Sequence, residues 1–339
     1  MNHIDKLIVF YFSGTGNSKR IALWLSELAL ESKIICHIYD IAAIDISTLL
    51  TIDTKATIGI ISPIHGFNFP KITLNFIRNF PDGKNRVVLM NTRAGIKFFD
   101  YVIPGLTGVA FMLTSSILKK KGYQIVGQIP YDMPSNWISI HPALRCNSVE
   151  FIYAKNHSRV IKHFERLNTG KTDFASNKDI VQDILISPIA LAYYYIGRYF
   201  FAKSYYASDH CINCDLCINQ CPVKAITKKD ERPFWTFKCE SCMRCMNNCP
   251  TNAIETTHVL WIIVLFITSV LATYLFHEVL PVGIRHWAVN FVLFNLIFLA
   301  LICFFYRIQQ FALKNKLCNK IITLMSLTHY KFWGRYKSK

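Results

Sequence analysis

Apolar runs of strand length alternate with amphipathic stretches in the first half of the chain. We predict strands at residues 7–12, 33–39, 57–62, 86–91 and 124–129, which are short and rich in branched apolar residues. Helices are expected from the loop after the first strand through Leu30, at 70–80 and at 109–121. This alternation is typical of a doubly wound parallel sheet, so the predicted fold class of this half is α/β.

Two long uncharged runs lie in the second half. Residues 259–276 carry no charge over eighteen positions, and residues 287–306 carry none over twenty. Each run can cross a hydrocarbon core of about 30 Å at about 1.5 Å per residue. A two-helix transmembrane hairpin is therefore predicted, and a buried pair of soluble helices is the alternative.

Residues 183–201 form a third apolar and aromatic stretch, which is interrupted by Pro188, Gly197 and Arg198. We expect this helix to lie on a membrane or against a neighbouring domain rather than to span. Residues 150–170 are predicted to be an amphipathic helix that closes the first domain.

The charge of the chain is strongly positive and unevenly placed. The formal net charge is +17, and 52% of the residues are hydrophobic. The stretch from Arg307 to the end holds eight Lys or Arg and no Asp or Glu. This tail favours an anionic membrane surface as its partner, and no nucleic-acid partner is expected.

Basic residues also predict an orientation. Arg307, Lys314, Lys316 and Lys320 follow the second run, whereas the short connecting loop carries only Arg285. The positive-inside rule then places both termini, and with them the domains that precede the first run, in the cytoplasm. A basic interfacial helix follows, with Tyr330, Trp333 and Tyr336 as membrane anchors.

Cysteines supply the strongest chemical signal. The chain contains CINCDLCINQCP at 211–222 and CESCMRCMNNCP at 239–250, two copies of C-x2-C-x2-C-x3-C-P offset by 28 residues. This spacing is typical of proteins that bind two iron–sulfur clusters. In such proteins the fourth cysteine of each run ligates the cluster that the other run holds. One [4Fe-4S] cluster is thus assigned to Cys211, Cys214, Cys217 and Cys249, and the second to Cys239, Cys242, Cys245 and Cys221.

Structural zinc and disulfides are the alternatives for these cysteines. Zinc sites usually pair C-x2-C units across a longer gap, and disulfides need an oxidising compartment, for which no signal peptide is evident. The segment resembles the bacterial two-cluster ferredoxin.

A short loop after the first apolar run predicts a phosphate site. Small and hydroxyl residues lead from this strand into a helix N-terminus, where backbone N–H groups and the helix dipole favour an anion. The residues are Ser13, Gly14, Thr15, Gly16, Asn17 and Ser18. This loop resembles the flavodoxin phosphate loop, which implies FMN, and it departs from the Walker loop because Asn17 stands where a Lys would be.

Ligands of doubly wound sheets sit beyond the carboxyl ends of the strands. The loops there are expected to be residues 62–67 and 91–95. The resemblance to flavodoxins implies flavin contacts from Pro63, His65, Gly66, Phe67, Asn91, Thr92 and Gly95, with Gly66 and Gly95 permitting a peptide flip. His65 is the one weak candidate for a catalytic residue. Arg93 could offset charge on a reduced flavin or be a surface cation.

Residues 1 to about 257 resemble proteins that fuse a flavodoxin-like domain to a two-cluster ferredoxin. In that family a Met-Pro-x-Asn-aromatic stretch lies near the flavin, which implies contacts from Asn136 and Trp137, although packing is an equal alternative. The predicted domains are a flavodoxin-like FMN domain (1–165), a linker with an apolar helix (166–205), a small α+β ferredoxin domain (206–257), the hairpin (258–307) and a basic cytoplasmic tail (308–339).

The leading functional hypothesis is a membrane-anchored electron-transfer protein with two [4Fe-4S] clusters and FMN. The expected partner is a redox protein, membrane-bound or not, or a quinone, because no nicotinamide-binding domain is evident. The alternatives are an FMN-dependent reductase of a small organic substrate or quinone, fed by the clusters, and a redox sensor or scaffold without catalysis.

Overall fold

The protein forms two compact units in the computed structural model, which describes residues 4–46, 53–284 and 286–336. The first unit comprises residues 1–137, 143–192 and 336–339, and the second comprises residues 138–142 and 193–335. Arg285, which entered the predicted membrane orientation, lies outside the described residues.

The first unit contains a six-stranded sheet flanked by helices. Its elements are β1 (Lys6–Tyr11), α1 (Asn17–Glu31), β2 (Ile35–Asp40), β3 (Thr57–Pro63), α2 (Lys71–Asn79), β4 (Arg86–Phe98), β5 (Tyr101–Ile103), α3 (Ala110–Lys120), β6 (Gln124–Pro134), α4 (Cys146–Asn168) and α5 (Ile180–Ala192). The five predicted strands and the predicted helices are all present, with ends shifted by a few residues.

The strand order identifies the architecture of this unit. Strands β2, β1, β3, β4 and β6 are neighbours in that order and run parallel. The short β5 pairs antiparallel with the end of β4. Leaving out β5, this is the 2-1-3-4-5 order of the flavodoxin-like doubly wound fold.

Burial explains why the central strands read as continuous apolar runs. Val9 and Phe10 on β1 and Ile58 and Ile60 on β3 are fully buried, because helices cover both faces of a parallel sheet. One core cluster joins β1 to Ile21 on α1 and to other residues of α1 and α4. This packing fixes the carboxyl ends of β1, β3 and β4 along one edge.

The second unit is built from short elements and two long apolar helices. They are α6 (Arg198–Ala202), β7 (Tyr205–Ala207), α7 (Leu216–Asn219), β8 (Ile226–Lys229), β9 (Arg232–Trp235), α8 (Arg244–Asn248), β10 (Ile254–Thr256), α9 (His258–Tyr274), α10 (Trp287–Ala312) and α11 (Lys316–Leu324). Strand β7 pairs antiparallel with β10, and β8 pairs antiparallel with β9.

Among the described residues, three helices are long and apolar enough to cross a membrane, rather than the two predicted. They are Ala175–Ala202, His258–Val279 and Trp287–Ala312, with 28, 22 and 26 residues. The helix that was not predicted to span, Ala175–Ala202, continues through Pro188. It contains a π-helical turn at Tyr193–Gly197, which lets the helix continue past Gly197. Val264, Phe298 and Ile302 pack between α9 and α10, whereas many other apolar side chains of these helices are exposed.

The predicted membrane anchors of the tail are partly wrong. Trp333 and Tyr336 are 7% and 2% exposed, so both are buried in protein. The Trp333 indole donates to the Ile138 carbonyl oxygen at 2.6 Å. Tyr336 donates to Asn17 Oδ1 at 2.5 Å. Tyr330, which is 39% exposed, is the remaining candidate for an interfacial contact.

A buried ion-pair network ties β4 to later parts of the first unit. Arg93 is 2% exposed and donates to Asp132 at 2.6 Å and to Asp179 at 2.7 Å. Asp132 also pairs with Arg159 on α4 at 2.9 Å. The two carboxylates raise the pKa of Arg93 against the effect of its burial, so it is a structural cation and not a surface one.

We therefore expect Arg93→Met to destabilise the protein by about 3 kcal/mol, because two carboxylates lose a buried partner. Thermal unfolding of the detergent-purified chain measures this as a midpoint lower by several degrees. Arg78→Met, at an exposed position on α2, is the control. Equal unfolding midpoints for the two variants would contradict the structural role of Arg93.

Candidate functional site

The eight motif cysteines line two separate cavities in the second unit. Cys211, Cys214, Cys217 and Cys249 line one cavity, together with Cys245. Cys221, Cys239, Cys242 and Cys245 line the other cavity. These sets are the ones expected when the fourth cysteine of each run joins the other run. Cys245 lines both cavities, so the two sites are immediate neighbours.

The two loops repeat the same backbone conformation. Asn213 and Asp215 in the first loop and Ser241 and Met243 in the second have positive φ, between 50° and 61°. Left-handed residues at matching positions, 28 apart, let each C-x2-C-x2-C segment curl around its cavity. A short helix follows at the same offset, α7 in one half and α8 in the other.

Backbone donors reach the fourth cysteine of each run in the same way. The Ala225 N–H donates to Cys221 Sγ at 3.2 Å, and the Ala253 N–H donates to Cys249 Sγ at 3.2 Å. Hydrogen bonds to cluster sulfurs raise the reduction potential, because they stabilise the added negative charge. The 28-residue repeat of the two cysteine motifs thus extends to the sulfur environment.

The metal-free thiols are held in a desolvated setting. Burial raises the pKa of Cys217 to about 12 and that of Cys242 to about 11. Burial also raises the pKa of Cys239 and Cys245. Iron binds thiolates, so insertion of a cluster must release the protons of these groups.

Two buried donors beside the second cysteine set were not found from the sequence. Trp235 is fully buried, and burial raises the pKa of Cys245 well above its ordinary value against the opposing effect of the Trp235 indole N–H. Lys203 is 5% exposed and donates to the Trp235 carbonyl oxygen at 2.6 Å. No local pattern distinguishes either residue, because their surroundings come from distant parts of the chain.

Aromatic rings surround the Lys203 ammonium. It lies 4.6 Å from the Phe234 ring centroid, 4.5 Å from Phe237 and 4.9 Å from Tyr306. Burial lowers the pKa of Lys203 to about 8, and the nearby Cys239 sulfur opposes that shift. At neutral pH the residue is therefore a buried cation beside the second cavity.

In the first unit, the predicted phosphate loop is closed by its own side chains. Ser13 Oγ accepts the Gly16 N–H at 3.0 Å, and Gly16 has φ of 108° at the N-terminus of α1. The Asn17 side chain donates to the Pro134 carbonyl oxygen at 2.9 Å, so it serves packing. Only the backbone of Asn17 can serve an anion.

Two further contacts bring predicted residues together around this loop. Ser18 Oγ and Thr92 Oγ1 are 2.8 Å apart, which joins the loop to β4. The Asn136 side chain hydrogen-bonds to Thr15 Oγ1. Asn136 therefore belongs to the same cluster of residues, as the stretch 131–137 implied, while Trp137 is half-buried beside it in sequence.

The predicted loop at residues 91–95 is wrong as secondary structure. Strand β4 continues through these residues to Phe98, paired with β6 so that Gly95 lies opposite Pro134. An added Cβ at Gly95 would meet the Asp132 carbonyl oxygen, so the glycine permits close strand pairing. Asn91 and Thr92 remain at the sheet edge beside Ser62 and Pro63.

The other predicted loop is a tight turn. His65 and Asn68 exchange backbone hydrogen bonds of 2.8 and 3.3 Å, and Gly66 and Phe67 between them have positive φ. The Phe67 carbonyl oxygen accepts the Val109 N–H at 3.0 Å. The turn is thus held against the segment before α3, and the flavin and catalytic roles given to these residues stay predictions.

The donor sets agree with the groups implied. The eight motif cysteines line the two cavities of the second unit as two sets of four, and Cys245 of the second set also lines the first cavity. In the first unit, α1 begins after small residues and has no acidic residue in its first turn. A cluster in each cavity and an anionic phosphate at α1 both fit these residues.

Comparison with known proteins supports the second unit directly. Residues 210–254 match the family described as a 4Fe-4S dicluster domain. No curated protein matches the chain.

Solved structures with some likeness to this chain include an oxidoreductase and two flavodoxins. The rubredoxin oxygen:oxidoreductase of Desulfovibrio gigas is 12% identical, with 48% of this chain and 37% of that chain covered and a TM-score of 0.32. Oxidised flavodoxin 1 from Bacillus cereus is 17% identical over 47% and 98% of the two chains, with a TM-score of 0.30. A Fusobacterium nucleatum flavodoxin bound to flavin mononucleotide is 11% identical, with 48% of this chain and 98% of that chain covered and a TM-score of 0.32.

These scores are too low to carry an argument, so the first unit is identified by its strand order. Strand order and the matched domain together define a protein that joins a flavodoxin-like domain to a 4Fe-4S dicluster domain. The predicted combination of the two is confirmed. It is accompanied by three apolar helices of membrane-spanning length.

The two cavities predict how pairs of cysteine substitutions combine. Cys221→Ala should remove one cluster, and Cys221→Ala with Cys242→Ala should remove no more, because both residues line one cavity. Cys221→Ala with Cys214→Ala should remove both clusters. Iron content, at about four atoms per cluster, measures the loss.

Cys146→Ala is the control for these variants, because this exposed cysteine lies outside both motifs. If Cys221→Ala with Cys214→Ala removed only one cluster, the assignment of these two cysteines to different clusters would be contradicted.

Lys203→Met should make the potential of the second cluster more negative, because a buried cation that favours the reduced state is lost. An EPR-monitored potentiometric titration measures the shift, with iron content confirming that both clusters remain. Lys228→Met is the control, since Lys228 already pairs with Asp215 at 3.1 Å on the exposed side of the hairpin. Unchanged potentials in Lys203→Met would show that its charge does not act on the cluster.

Proposed function

We propose that this protein is a membrane-anchored electron-transfer iron–sulfur flavoprotein. It exchanges electrons among two [4Fe-4S] clusters, FMN and a redox partner outside the chain. The observation that carries the proposal is the pair of adjoining cavities lined by the eight motif cysteines, on a chain that also has a flavodoxin-like unit.

The cysteine cavities suit one-electron transfer between neighbouring centres. A cubane cluster carries one electron at a time, and its potential follows the hydrogen bonds and burial around the sulfurs. The residues that would hold the two clusters are the eight motif cysteines. Around them the chain supplies backbone donors such as the Ala225 N–H, and the buried cation Lys203.

The first unit suits FMN because its loops meet at the carboxyl edge of the sheet. A flavin supplies exchange of either one or two electrons when it is bound. The loop from Ser13 to Ser18 would hold the phosphate at the N-terminus of α1. Thr92, Pro63 and the turn from His65 to Asn68 would line the ring site, as in the resemblance to flavodoxins.

Apolar helices suit attachment to a membrane. Helices α9 and α10 expose apolar side chains such as Phe266, Phe291 and Phe304, which are 69%, 51% and 59% exposed. Lipid is the environment that stabilises such a surface. The basic residues from Arg307 onward favour the cytoplasmic side for the second unit.

Keeping both redox units in the cytoplasm requires the helix Ala175–Ala202 not to cross the membrane. Its first turns are tied to the first unit, where Asp179 pairs with Arg93 and Asp183 Oδ1 accepts the Gly108 N–H at 2.8 Å. Charged groups held in these contacts favour a helix along the surface. The redox partner is then a protein or quinone that is reached from the cytoplasmic face.

Counting electrons tests the proposal. An anaerobic titration of the detergent-purified chain with a calibrated one-electron reductant should reach an end point near about four electrons, one for each cluster and two for the flavin. Visible absorbance and EPR follow the two kinds of centre separately.

Gly16→Val should lower the end point to about two electrons, because φ of 108° strains any side chain at the phosphate loop and flavin is lost. Gly283→Ala is the matched control, since nothing lies within 4 Å of an added Cβ there. A wild-type end point near zero, or one that Gly16→Val leaves unchanged, would refute electron transfer by these centres.

A further inference from the structure

A basic cavity lies between the β8–β9 hairpin and the end of the apolar helix α10. It lies within the second unit. Its lining residues are four cations, one carboxylate, one amide and two aromatic rings, namely Lys229, Arg232, Arg307, Lys314, Asp230, Gln310, Phe234 and Phe311. None of these residues belongs to the cysteine motifs or the flavin loops.

The elements present these residues on matching faces. Arg307, Gln310 and Phe311 recur at helical spacing, so they share one face of α10, and Lys314 lies in the turn that follows the helix. On the hairpin, Lys229 stands directly opposite Arg232 in the strand register. Like charges in opposed positions destabilise a strand pair, so this pairing favours an anion that bridges them.

The ion pairs around the hairpin leave the cavity with an excess of positive charge. Lys314 pairs with Asp230 at 3.0 Å. Lys228, on the other side of the hairpin, pairs with Asp215 and Glu231 at 3.1 and 3.3 Å. Over the described part of the chain, Lys229, Arg232 and Arg307 make no ion pair with a carboxylate.

The surroundings of the cavity indicate where an anion would come from. Arg307 lies in the last turns of α10, which is one of the helices long enough to span a membrane, and Lys314 lies just after its end. Phe311 is 74% exposed beside them. A long apolar helix, an exposed aromatic ring and a group of cations therefore lie together at this cavity. Basic pockets in such surroundings bind anionic lipid headgroups at the cytoplasmic surface of a membrane.

We infer that this cavity is a binding site for a phosphate-bearing anion, and specifically for the headgroup of an anionic phospholipid. The choice of a lipid rests on the proposed membrane attachment, whereas the anion site itself rests on the charges and geometry of the second unit. Arg232 and Arg307 bind the phosphate oxygens, Lys229 adds charge, and the acyl chains follow α10 past Phe311.

The site adjoins the second cysteine cavity through a single strand. Along β9, Phe234 lines the basic cavity, and the next residue, Trp235, lines the cavity of Cys239 and Cys245. Successive residues of a strand point to opposite faces, so one strand separates the bound headgroup from the cluster site. A bound lipid would therefore hold the hairpin that shapes the cluster cavity.

Lipid retention by the full-length holoprotein tests the inference. The chain is reconstituted in nanodiscs of mixed phosphatidylglycerol and phosphatidylcholine and extracted with a neutral detergent, and the retained lipid is counted by mass spectrometry. Phosphatidylglycerol should be retained in preference to phosphatidylcholine. The double variant Lys229→Gln, Arg307→Gln should weaken this retention by about tenfold or more.

The matched control is the double variant Lys316→Gln, Lys320→Gln. It removes two exposed cations of the same basic tail that do not line the cavity, so retention should stay near that of the wild type. Equal retention of both lipids by the wild type, or equal losses in the two double variants, would overturn the lipid assignment.

Titration with inorganic phosphate in detergent separates the two sources of the anion. Phosphate that binds the wild type and not the Lys229→Gln, Arg307→Gln variant supports the shared anion chemistry even where no lipid preference is found. Absence of both phosphate binding and lipid preference would overturn the anion site. Iron and flavin contents measured on the same samples report separately on the proposed function.

Discussion

A cubane cluster needs four cysteine sulfurs around it. The helices and strands near the cysteines are too short to hold these sulfurs in place by themselves. Between Cys211 and Pro250 the helices have four or five residues and the strands four. Left-handed residues at matching positions bend both loops, and the fourth cysteine comes from the other half. Iron–sulfur bonds would close this arrangement, so folding of the segment and cluster binding are linked.

The two buried cations Arg93 and Lys203 differ in what surrounds their charge. Arg93 sits between two carboxylates and fixes the end of β4, whereas Lys203 sits among aromatic rings beside the second cysteine set. The two carboxylates neutralise the charge of Arg93. Lys203 keeps a net positive charge, which would stabilise a reduced cluster beside it.

The sequence was sufficient for elements whose signal is local. Buried parallel strands read as apolar runs, and the cysteine spacing implied the two sets of four, which the cavities bring together. The extension of β4 beyond residue 91 was missed because Asn91, Thr92 and Arg93 are polar and resemble a loop. Thr92 and Arg93 are buried there only because Ser18, Asp132 and Asp179 satisfy them from distant positions.

Distant partners also explain the other errors. Trp333 and Tyr336 lie among basic residues and resembled membrane anchors, yet Ile138 and Asn17, far away in sequence, bury them. Pro188 and Gly197 resembled breaks in an apolar helix, whereas a π-helical turn lets the helix continue to Ala202. Lys203 had no local signal, since its aromatic surroundings come from β9 and α10.

The central claim is that this one chain carries two cubane clusters and a flavin as its redox centres. An anaerobic EPR redox titration of detergent-purified protein, with iron and FMN quantified on the same sample, tests it most directly. The account predicts about eight iron atoms per chain, one FMN and two one-electron cluster signals. A folded preparation without iron and without cluster signals would contradict it.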